Sequence, residues 1–147
     1  MVRSITCAFI GLGQMGRELC GRIGNAGFPT LAYDVNPEAA KYAEDQFENV
    51  TQSDLLNALK NSSVVFTCLP NSNLVREIVD KMLHQEGILD NVQYWIDTTS
   101  GYPGESQRIA SDLKSQGVVF FDCAVSGGPA GAVAGTLTAM VGGDQES

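Results

Sequence analysis

The composition of this chain is that of a globular domain with an acidic surface. Its 147 residues, 44% hydrophobic and 18% charged, are enough for about one domain with its own core, and they exclude a disordered polymer. Nine Lys and Arg against 17 Asp and Glu give a net charge of −8. We therefore expect neither nucleic acid nor an anionic membrane as a partner. A small anionic ligand is still allowed, because backbone N–H groups at a helix start can hold phosphate.

Targeting and membrane signals are missing from the sequence. No stretch approaches the ~18 apolar residues that a membrane span requires. The first predicted strand begins close to Met1, which leaves no room for a leader. We expect a cytoplasmic protein, or a mitochondrial one if a leader originally preceded the chain.

Cysteine and histidine usage argues against a metal site. None of the cysteines has C-x-x-C spacing, and His84 has no second ligand near it in the sequence. The cysteines are interpreted as small buried hydrophobic residues of a reducing compartment. They are Cys7, Cys20, Cys68 and Cys123.

Short apolar runs alternate with helical patterns along the whole chain. Strands are predicted at residues 5–10, 30–33, 49–51, 64–69, 93–96, 118–121 and 137–141. Helices are predicted at residues 15–26, 37–47, 53–60, 73–83 and 104–116. This alternation predicts an α/β fold of the Rossmann type: a doubly wound, mainly parallel sheet with helices on both faces. The domain is predicted to span residues 1–147.

A glycine motif directly follows the first predicted strand and leads into the first predicted helix. It reads Gly11-Leu12-Gly13-Gln14-Met15-Gly16. In a dinucleotide-binding turn, Gly11 would permit the tight turn, Gly13 the approach of a pyrophosphate, and Gly16 close packing of helix on strand. With 16 glycines in the chain the pattern alone is weak, and its place between strand and helix strengthens it. We therefore predict a dinucleotide at the positive end of this helix.

A carboxylate closes the second predicted strand, 18 residues after Gly16. Asp34 could accept hydrogen bonds from the hydroxyls of an adenosine ribose. No Lys or Arg occurs between Asp34 and Lys41 to neutralise a 2′-phosphate, and Asp34 itself would repel one. The sequence therefore favours NAD over NADP. The alternative is a structural Asp that ends a strand.

Two polar loops follow the strands predicted at 64–69 and 93–96. They read Leu69-Pro70-Asn71 and Asp97-Thr98-Thr99-Ser100. Both would lie at the carboxyl edge of the sheet, where a cofactor crevice forms. The alternative for each is a plain turn into a helix, with Ser or Asp as its cap.

A second glycine turn lies about 110 residues after the first. Ser126, Gly127 and Gly128 combine a hydroxyl with consecutive backbone N–H groups, which makes an anion-binding nest suited to a small carboxylate. The alternative is a tight turn that needs glycine for its positive φ.

Five motifs, taken in order, resemble the β-hydroxyacid dehydrogenase family, of which 3-hydroxyisobutyrate dehydrogenase is a member. The resemblance covers essentially all 147 residues. The opening motif matches G-L-G-x-M-G, residues 121–132 resemble D-A-P-V-S-G-G-x-x-G-A, and residues 135–143 resemble G-x-L-x-x-M-V-G-G. The remaining two motifs are Tyr33-Asp34-Val35 and Leu69-Pro70-Asn71.

The resemblance implies roles for particular residues. Leu69, Pro70 and Ser100 would line the cofactor, together with residues 11–16 and Asp34. The second turn, 126–128, would contact the carboxylate of a substrate. The implied activity is NAD-dependent interconversion of a small 3-hydroxyacid and its semialdehyde.

The resemblance also implies parts that this chain does not contain. The family's catalytic Lys would lie beyond Ser147, so we assign no catalytic residue here. The family's helical C-terminal domain, which closes the cleft and makes the dimer, would follow as well. We expect the 147-residue chain to be inactive alone. We expect the full-length protein to be a homo-oligomer. The 147-residue chain alone could be a monomer.

Departures from the family pattern keep other functions open. Cys123-Ala124 replaces the usual Ala-Pro, and residues 99–103 replace the usual S-T-I-x-P. One alternative is an NADP enzyme similar to 6-phosphogluconate dehydrogenase, although Tyr33-Asp34-Val35 lacks its N-R-T. The other is a nucleotide-binding interaction module without catalysis.

Overall fold

Seven strands form one sheet in the computed structural model, which describes residues 4–144. Their order across the sheet is β3-β2-β1-β4-β5-β6-β7. The first six strands are parallel to their neighbours, and β7 is antiparallel to β6. The strands are β1 (Cys7–Ile10), β2 (Thr30–Tyr33), β3 (Val50–Gln52), β4 (Val64–Thr67), β5 (Tyr94–Asp97), β6 (Val119–Ser126) and β7 (Thr138–Gly142).

Within residues 4–144, six helices connect these strands. They are α1 (Gln14–Asn25), α2 (Pro37–Gln46), α3 (Leu55–Lys60), α4 (Ser72–Leu83), α5 (Pro103–Lys114) and α6 (Gly128–Ala134). Three of them begin at side-chain caps that the sequence supplies. Asn36, Asp54 and Asn71 each accept a hydrogen bond from a backbone N–H in the first turn that follows. By contrast, α1 begins at Gly13 without a side-chain cap.

The core lies in two layers, one on each face of the sheet. Alternate residues of β1 point to opposite faces, so that Phe9 packs into one layer and Ala8 and Ile10 into the other. The layer around Phe9 includes Cys20 of α1 and Ala43 of α2. The other layer is built around Trp95 and takes residues from α3, α4 and α5. The predicted doubly wound architecture is therefore confirmed.

The region after β5 differs from the sequence prediction in two ways. The strand predicted at 118–121 continues to Ser126, because β7 supplies an antiparallel partner for residues 122–126. The glycine turn that follows leads directly into α6, a helix that was not predicted. Its sequence, GPAGAVA, is rich in glycine and opens with Gly-Pro, so that helix propensity alone would not indicate it. Elsewhere the predicted elements are present with ends that differ by about three residues or fewer.

The register of the sheet sets the place of the candidate site. Ile10, Tyr33, Thr67, Asp97 and Asp122 pair with one another in a single row near the carboxyl ends of the parallel strands. The strand order reverses between β1 and β4, which is where open α/β sheets form their ligand crevice. The loops that leave this row carry the residues singled out by sequence.

Candidate functional site

The first glycine turn is packed tightly between two neighbouring strands. Gly11 has φ +100, and its N–H donates to the Tyr33 carbonyl at 3.0 Å. A Cβ at Gly11 would clash with the Cys68 carbonyl oxygen, and one at Gly16 would clash with the Gly11 carbonyl oxygen. Both positions therefore require glycine for close packing, as the motif predicts.

Gly13 differs from its two partners because the space above it is open. A Cβ built at Gly13 would meet no heavy atom within 4 Å, and φ is −68, which any residue can adopt. Gly13 is also the N-cap of α1, and no side chain caps the first N–H groups of that helix. This turn leaves both space and hydrogen-bond donors for an anionic group. Gln14 is exposed and Met15 is half-buried beside it.

Asp34 is fastened to the first glycine turn. Its Oδ2 accepts from the Leu12 N–H at 2.7 Å, and its Oδ1 accepts from the Asn36 N–H at 2.8 Å. The side chain is half-buried, and each carboxylate oxygen retains capacity for a further hydrogen bond. The structure therefore brings Asp34 and the turn together.

The loop after β4 lies against the same turn. The side chain of Leu69 lies next to Gly11, since a Cβ at Gly11 would come within 2.8 Å of Leu69 Cδ2. The Leu69 N–H donates to Thr99 Oγ1 at 3.0 Å, which links this loop to the loop after β5. Pro70 and Ser100 are exposed at the same edge. The predicted cofactor residues thus occupy one continuous edge of the sheet, and their binding role stays a prediction.

A buried polar network supports these loops from below. Asp97, 1% exposed, accepts from the Thr67 hydroxyl at 2.9 Å and from the Thr99 N–H at 3.0 Å, while Trp95 Nε1 donates to Thr67 Oγ1 at 3.2 Å. Burial raises the pKa of Asp97, hydrogen bonds from Thr99 and Thr67 oppose that shift, and the charge of Asp122 adds to it. Sequence reasoning placed Asp97 in a loop at the edge of the cofactor crevice, with a plain turn or cap as the alternative, and it did not foresee this network. The place of Asp97 directly after an apolar run was the available signal.

The second glycine turn lies further out along β6. Ser126 lies four residues beyond Asp122, the residue of β6 in the row at the carboxyl ends of the parallel strands. At about 3.3 Å per residue this separation is about 13 Å. Ser126 is exposed. Gly127 and Gly128 both have positive φ, +131 and +64. The turn therefore needs glycine for its backbone, and it presents consecutive N–H groups at the start of α6. Its role in carboxylate binding stays a prediction.

Arg22 ties the end of α6, the helix that follows the second turn, to the first helix, a link that sequence reasoning missed. Its Nε donates to the Ala132 carbonyl at 2.8 Å, and its Nη2 donates to the Val133 carbonyl. These are carbonyl groups in the last turn of α6, so the guanidinium also complements the negative end of that helix. Arg22 is 110 residues from Ala132 in sequence, and no local pattern indicates such a contact.

Cysteine, metal and membrane expectations can be compared with the geometry. All four cysteines are free thiols. Burial raises the pKa of Cys7 to about 11 and of Cys20 to about 12, so neither is a thiolate at neutral pH. Over residues 4–144 no group of three or more His, Cys, Asp or Glu side chains could hold a metal ion. Over the same residues no helix is long and apolar enough to span a bilayer.

Comparison with known proteins identifies the family. A model of the family described as the NAD binding domain of 6-phosphogluconate dehydrogenase matches residues 6–147. The chain belongs to this family. Human mitochondrial 3-hydroxyisobutyrate dehydrogenase is 36% identical over 141 residues, 94% of this chain and 41% of that protein. The chain thus spans less than half the length of this curated relative.

Solved structures agree with this assignment. A Mycobacterium tuberculosis 3-hydroxyisobutyrate dehydrogenase, solved with L-serine, has a TM-score of 0.84 and 30% identity. The match covers 97% of this chain and 47% of that one. Psf3 in complex with NADP+ and 2-OPP has a TM-score of 0.80 and 27% identity, over 96% of this chain and 50% of the other. The resemblance to the hydroxyacid dehydrogenases and the Rossmann-type fold are both confirmed.

Proposed function

We propose that this chain is the cofactor domain of an NAD-dependent oxidoreductase that interconverts a small 3-hydroxyacid and its semialdehyde. The observation that carries the proposal is the open space at Gly13. Gly13 directly follows Leu12, whose N–H donates to the Asp34 carboxylate. The relatives named 3-hydroxyisobutyrate dehydrogenase support the substrate class.

The residues at the first turn fit a dinucleotide. The backbone at Gly13 and the first turn of α1 would hold the pyrophosphate, because no Cβ fills that space and no side chain caps those N–H groups. Asp34 would accept hydrogen bonds from the adenosine ribose hydroxyls with the oxygen lone pairs left by Leu12 and Asn36. When bound, the nicotinamide supplies a hydride acceptor.

The charge at Asp34 supports NAD as the cofactor. A 2′-phosphate placed at the ribose would meet the Asp34 carboxylate, and residues 35–40 contain no Lys or Arg to offset the repulsion. Because Psf3 is described with NADP+, family membership alone does not choose between the two cofactors. The preference for NAD therefore depends on Asp34.

The second turn would hold the substrate carboxylate. Ser126 is exposed, and the positive φ of Gly127 and Gly128 lets neighbouring N–H groups point to one side. A small hydroxyacid anchored there by its carboxylate would keep its hydroxyl carbon free for hydride transfer.

Proton transfer would need a group from outside this chain. Lys60, Lys81 and Lys114 lie in the last turns of α3, α4 and α5, at the edge of the sheet opposite to the carboxyl row. Lys41 is paired with Asp45 on α2. We infer that a second, helical domain of a longer protein supplies the base and the oligomer contacts. A dehydrogenase assay of the 147-residue chain with NAD and 3-hydroxyisobutyrate should give background only, and NADH formation that depends on the hydroxyacid would contradict this inference.

Titration calorimetry of this chain with NAD and with NADP tests the proposed function. We expect NAD to bind at least about tenfold more tightly than NADP, a difference of about 1.4 kcal/mol. In the matched variant Asp34→Asn the side-chain oxygen can still accept from Leu12 while the charge is lost, so the gap should narrow. Tighter binding of NADP by the wild type would overturn the cofactor assignment, and binding of neither would overturn the site.

The family description gives specific support to one other function, that of a 6-phosphogluconate dehydrogenase. Oxidation of 6-phosphogluconate by a longer form of the protein would favour it over the 3-hydroxyacid enzyme.

The four free thiols support a reducing compartment, for which we propose the cytoplasm.

A further inference from the structure

The loop after β4, taken together with the first residue of α4, exchanges one hydrogen bond in each direction with the loop after β5. Thr99 Oγ1 accepts from the Leu69 N–H at 3.0 Å, and Ser72 Oγ accepts from the Tyr102 N–H at 2.7 Å. Both hydroxyl side chains are buried, with Thr99 2% and Ser72 8% exposed. Each loop thus satisfies a backbone donor of the other, and neither loop can shift without leaving a donor unpaired.

Gly101 makes the second of these bonds possible. A Cβ at Gly101 would clash with Ser72 Oγ. Gly101 also falls where the resembled family pattern has Ile, one of the departures seen in the sequence. The departure therefore has a structural reason, since a side chain here would displace the hydroxyl that holds Tyr102.

Both loops have rigid supports. Asp97 Oδ1 accepts from the Thr99 N–H at 3.0 Å and fixes the backbone at the root of the second loop. Behind the loops, Arg76 of α4 contacts Asp112 of α5 at 2.6 Å and its own neighbour Asp80 at 2.8 Å. The two helices that start at these loops are therefore held together along their length as well as at their first residues.

The position of the loop pair indicates which half of the cofactor it serves. The first turn and Asp34 lie over β1 and β2, where the adenosine half belongs. The loop pair lies over β4 and β5, on the other side of the reversal in strand order, which leaves it the nicotinamide half. We propose that Thr99 and Ser72 form a reciprocal clamp that positions these loops for the nicotinamide half, an inference that rests on the proposed function.

In this proposal Thr99 and Ser72 are positioning residues that act through the backbone of 69–71 and 100–102. Removing either hydroxyl should then weaken contacts with the nicotinamide half and leave the adenosine half unaffected. NAD and ADP distinguish these halves, because ADP has the adenosine and diphosphate but no nicotinamide ribose. A general loss of structure would weaken both ligands equally.

The test compares dissociation constants for NAD and ADP, by titration calorimetry of the 147-residue chain, across matched variants. Thr99→Val keeps the shape and removes the acceptor, and it should weaken NAD about tenfold while ADP changes less than about twofold. Thr99→Ser restores the hydroxyl and should recover most of the NAD affinity. Ser72→Ala and Gly101→Ala, which act on the second bond, should shift the NAD-to-ADP ratio in the same direction.

Thr30→Val is the control for buried hydroxyls in general. Thr30 Oγ1 donates to the Phe28 carbonyl at 2.8 Å, and Thr30 lies at the start of β2, away from both loops, so the loss of its hydroxyl should leave the NAD-to-ADP ratio unchanged. Equal weakening of NAD and ADP in Thr99→Val, or the same ratio change in Thr30→Val, would overturn the clamp while the proposed function stands. A wild-type chain that binds neither ligand would overturn both proposals.

Discussion

The two glycine turns of this chain resemble each other in sequence and differ in how the fold uses them. In the first turn, Gly11 and Gly16 are buried against backbone atoms, and only Gly13 faces open space. In the second, Ser126 and Gly127 are exposed, and a Cβ at Gly128 would meet nothing within 4 Å. The first turn is thus tightly packed except at Gly13, whereas the second is an exposed turn in which glycine is needed for positive φ.

This difference indicates how each turn is kept in place. The first turn is enclosed by β2 and by the loop after β4, so its geometry follows from the assembly of the sheet. The second depends on the β6–β7 ladder and on Arg22, both near the edge of the molecule. We therefore expect changes in the first turn to affect stability or binding strongly, and changes around the second to act locally.

The largest effect should come from Gly11→Ala. Positive φ and a clash with the Cys68 carbonyl together should lower the free energy of unfolding by about 3 kcal/mol or more. Urea denaturation followed by circular dichroism would measure this loss. A urea midpoint equal to that of the wild type would mean that Gly11 is not tightly packed in the first turn.

Gly13→Ala should separate binding from stability within the same turn. The added methyl meets no protein atom, and the cost of alanine at a helix N-cap is about 1 kcal/mol or less. It would occupy the space assigned to the pyrophosphate, so NAD affinity should fall at least about tenfold. Calorimetry and urea denaturation on one preparation would show both effects. Unchanged NAD affinity in a folded variant would contradict the assigned position of the pyrophosphate.

Arg22→Ala should loosen α6, which follows the second turn, and leave the first turn unaffected. The loss of its hydrogen bonds to the Ala132 and Val133 carbonyls should cost about 1 kcal/mol, because Arg22 is exposed to solvent. Hydrogen exchange should become faster in α6 and stay unchanged in α1 near Gly13. Arg108→Ala, which removes a mostly exposed arginine of α5, is the control. Faster exchange at both turns would show that they are mechanically coupled.

The smallest effect concerns the pH dependence of the buried region. Burial raises the pKa of Asp97, so the folded chain retains a proton that the unfolded chain has released. The contribution of Asp97 to stability therefore declines as the pH rises from the ordinary carboxyl pKa through the raised folded value. Asp97→Asn keeps an acceptor for Thr99 and cannot titrate, so the unfolding free energy of the variant should fall less than that of the wild type as the pH rises above the ordinary carboxyl pKa. Parallel pH profiles of unfolding free energy for the two proteins would contradict this.

The part of the site formed by the first glycine turn and Asp34 was predictable because its sequence signals are local. A buried strand, a glycine motif, a helix and then Asp34 at the next strand end all lie within about 30 residues, a βαβ unit. The carboxyl-edge placement of Leu69, Pro70 and Ser100 followed from the parallel sheet, since all parallel strands end at one edge. The hydrogen bond between Asp34 and Leu12 was not foreseen, because a strand-end carboxylate can turn either to a ligand or to its own backbone.

The region around the second glycine turn, from β6 to β7, was predicted less completely because the residues that contact it are distant in sequence. The strand predicted to end at Phe121 continues because β7 pairs with it, and α6 ends where Arg22, more than 100 residues earlier, meets its carbonyls. Antiparallel pairing at a sheet edge and a side chain that caps a remote helix leave no periodic pattern in the sequence. The extent of β6 and the existence of α6 were therefore missed.

Apolar periodicity and turn chemistry determined the order of strands and helices, the parallel sheet, and the glycine and carboxylate positions at its edge, because these depend on residues close in the chain. Tertiary packing alone decided that Gly13 is open while Gly11 and Gly16 are filled, and that Thr99 and Ser72 join two loops. The physical reason is that steric room and hydrogen-bond pairing between loops depend on which backbones the sheet brings together.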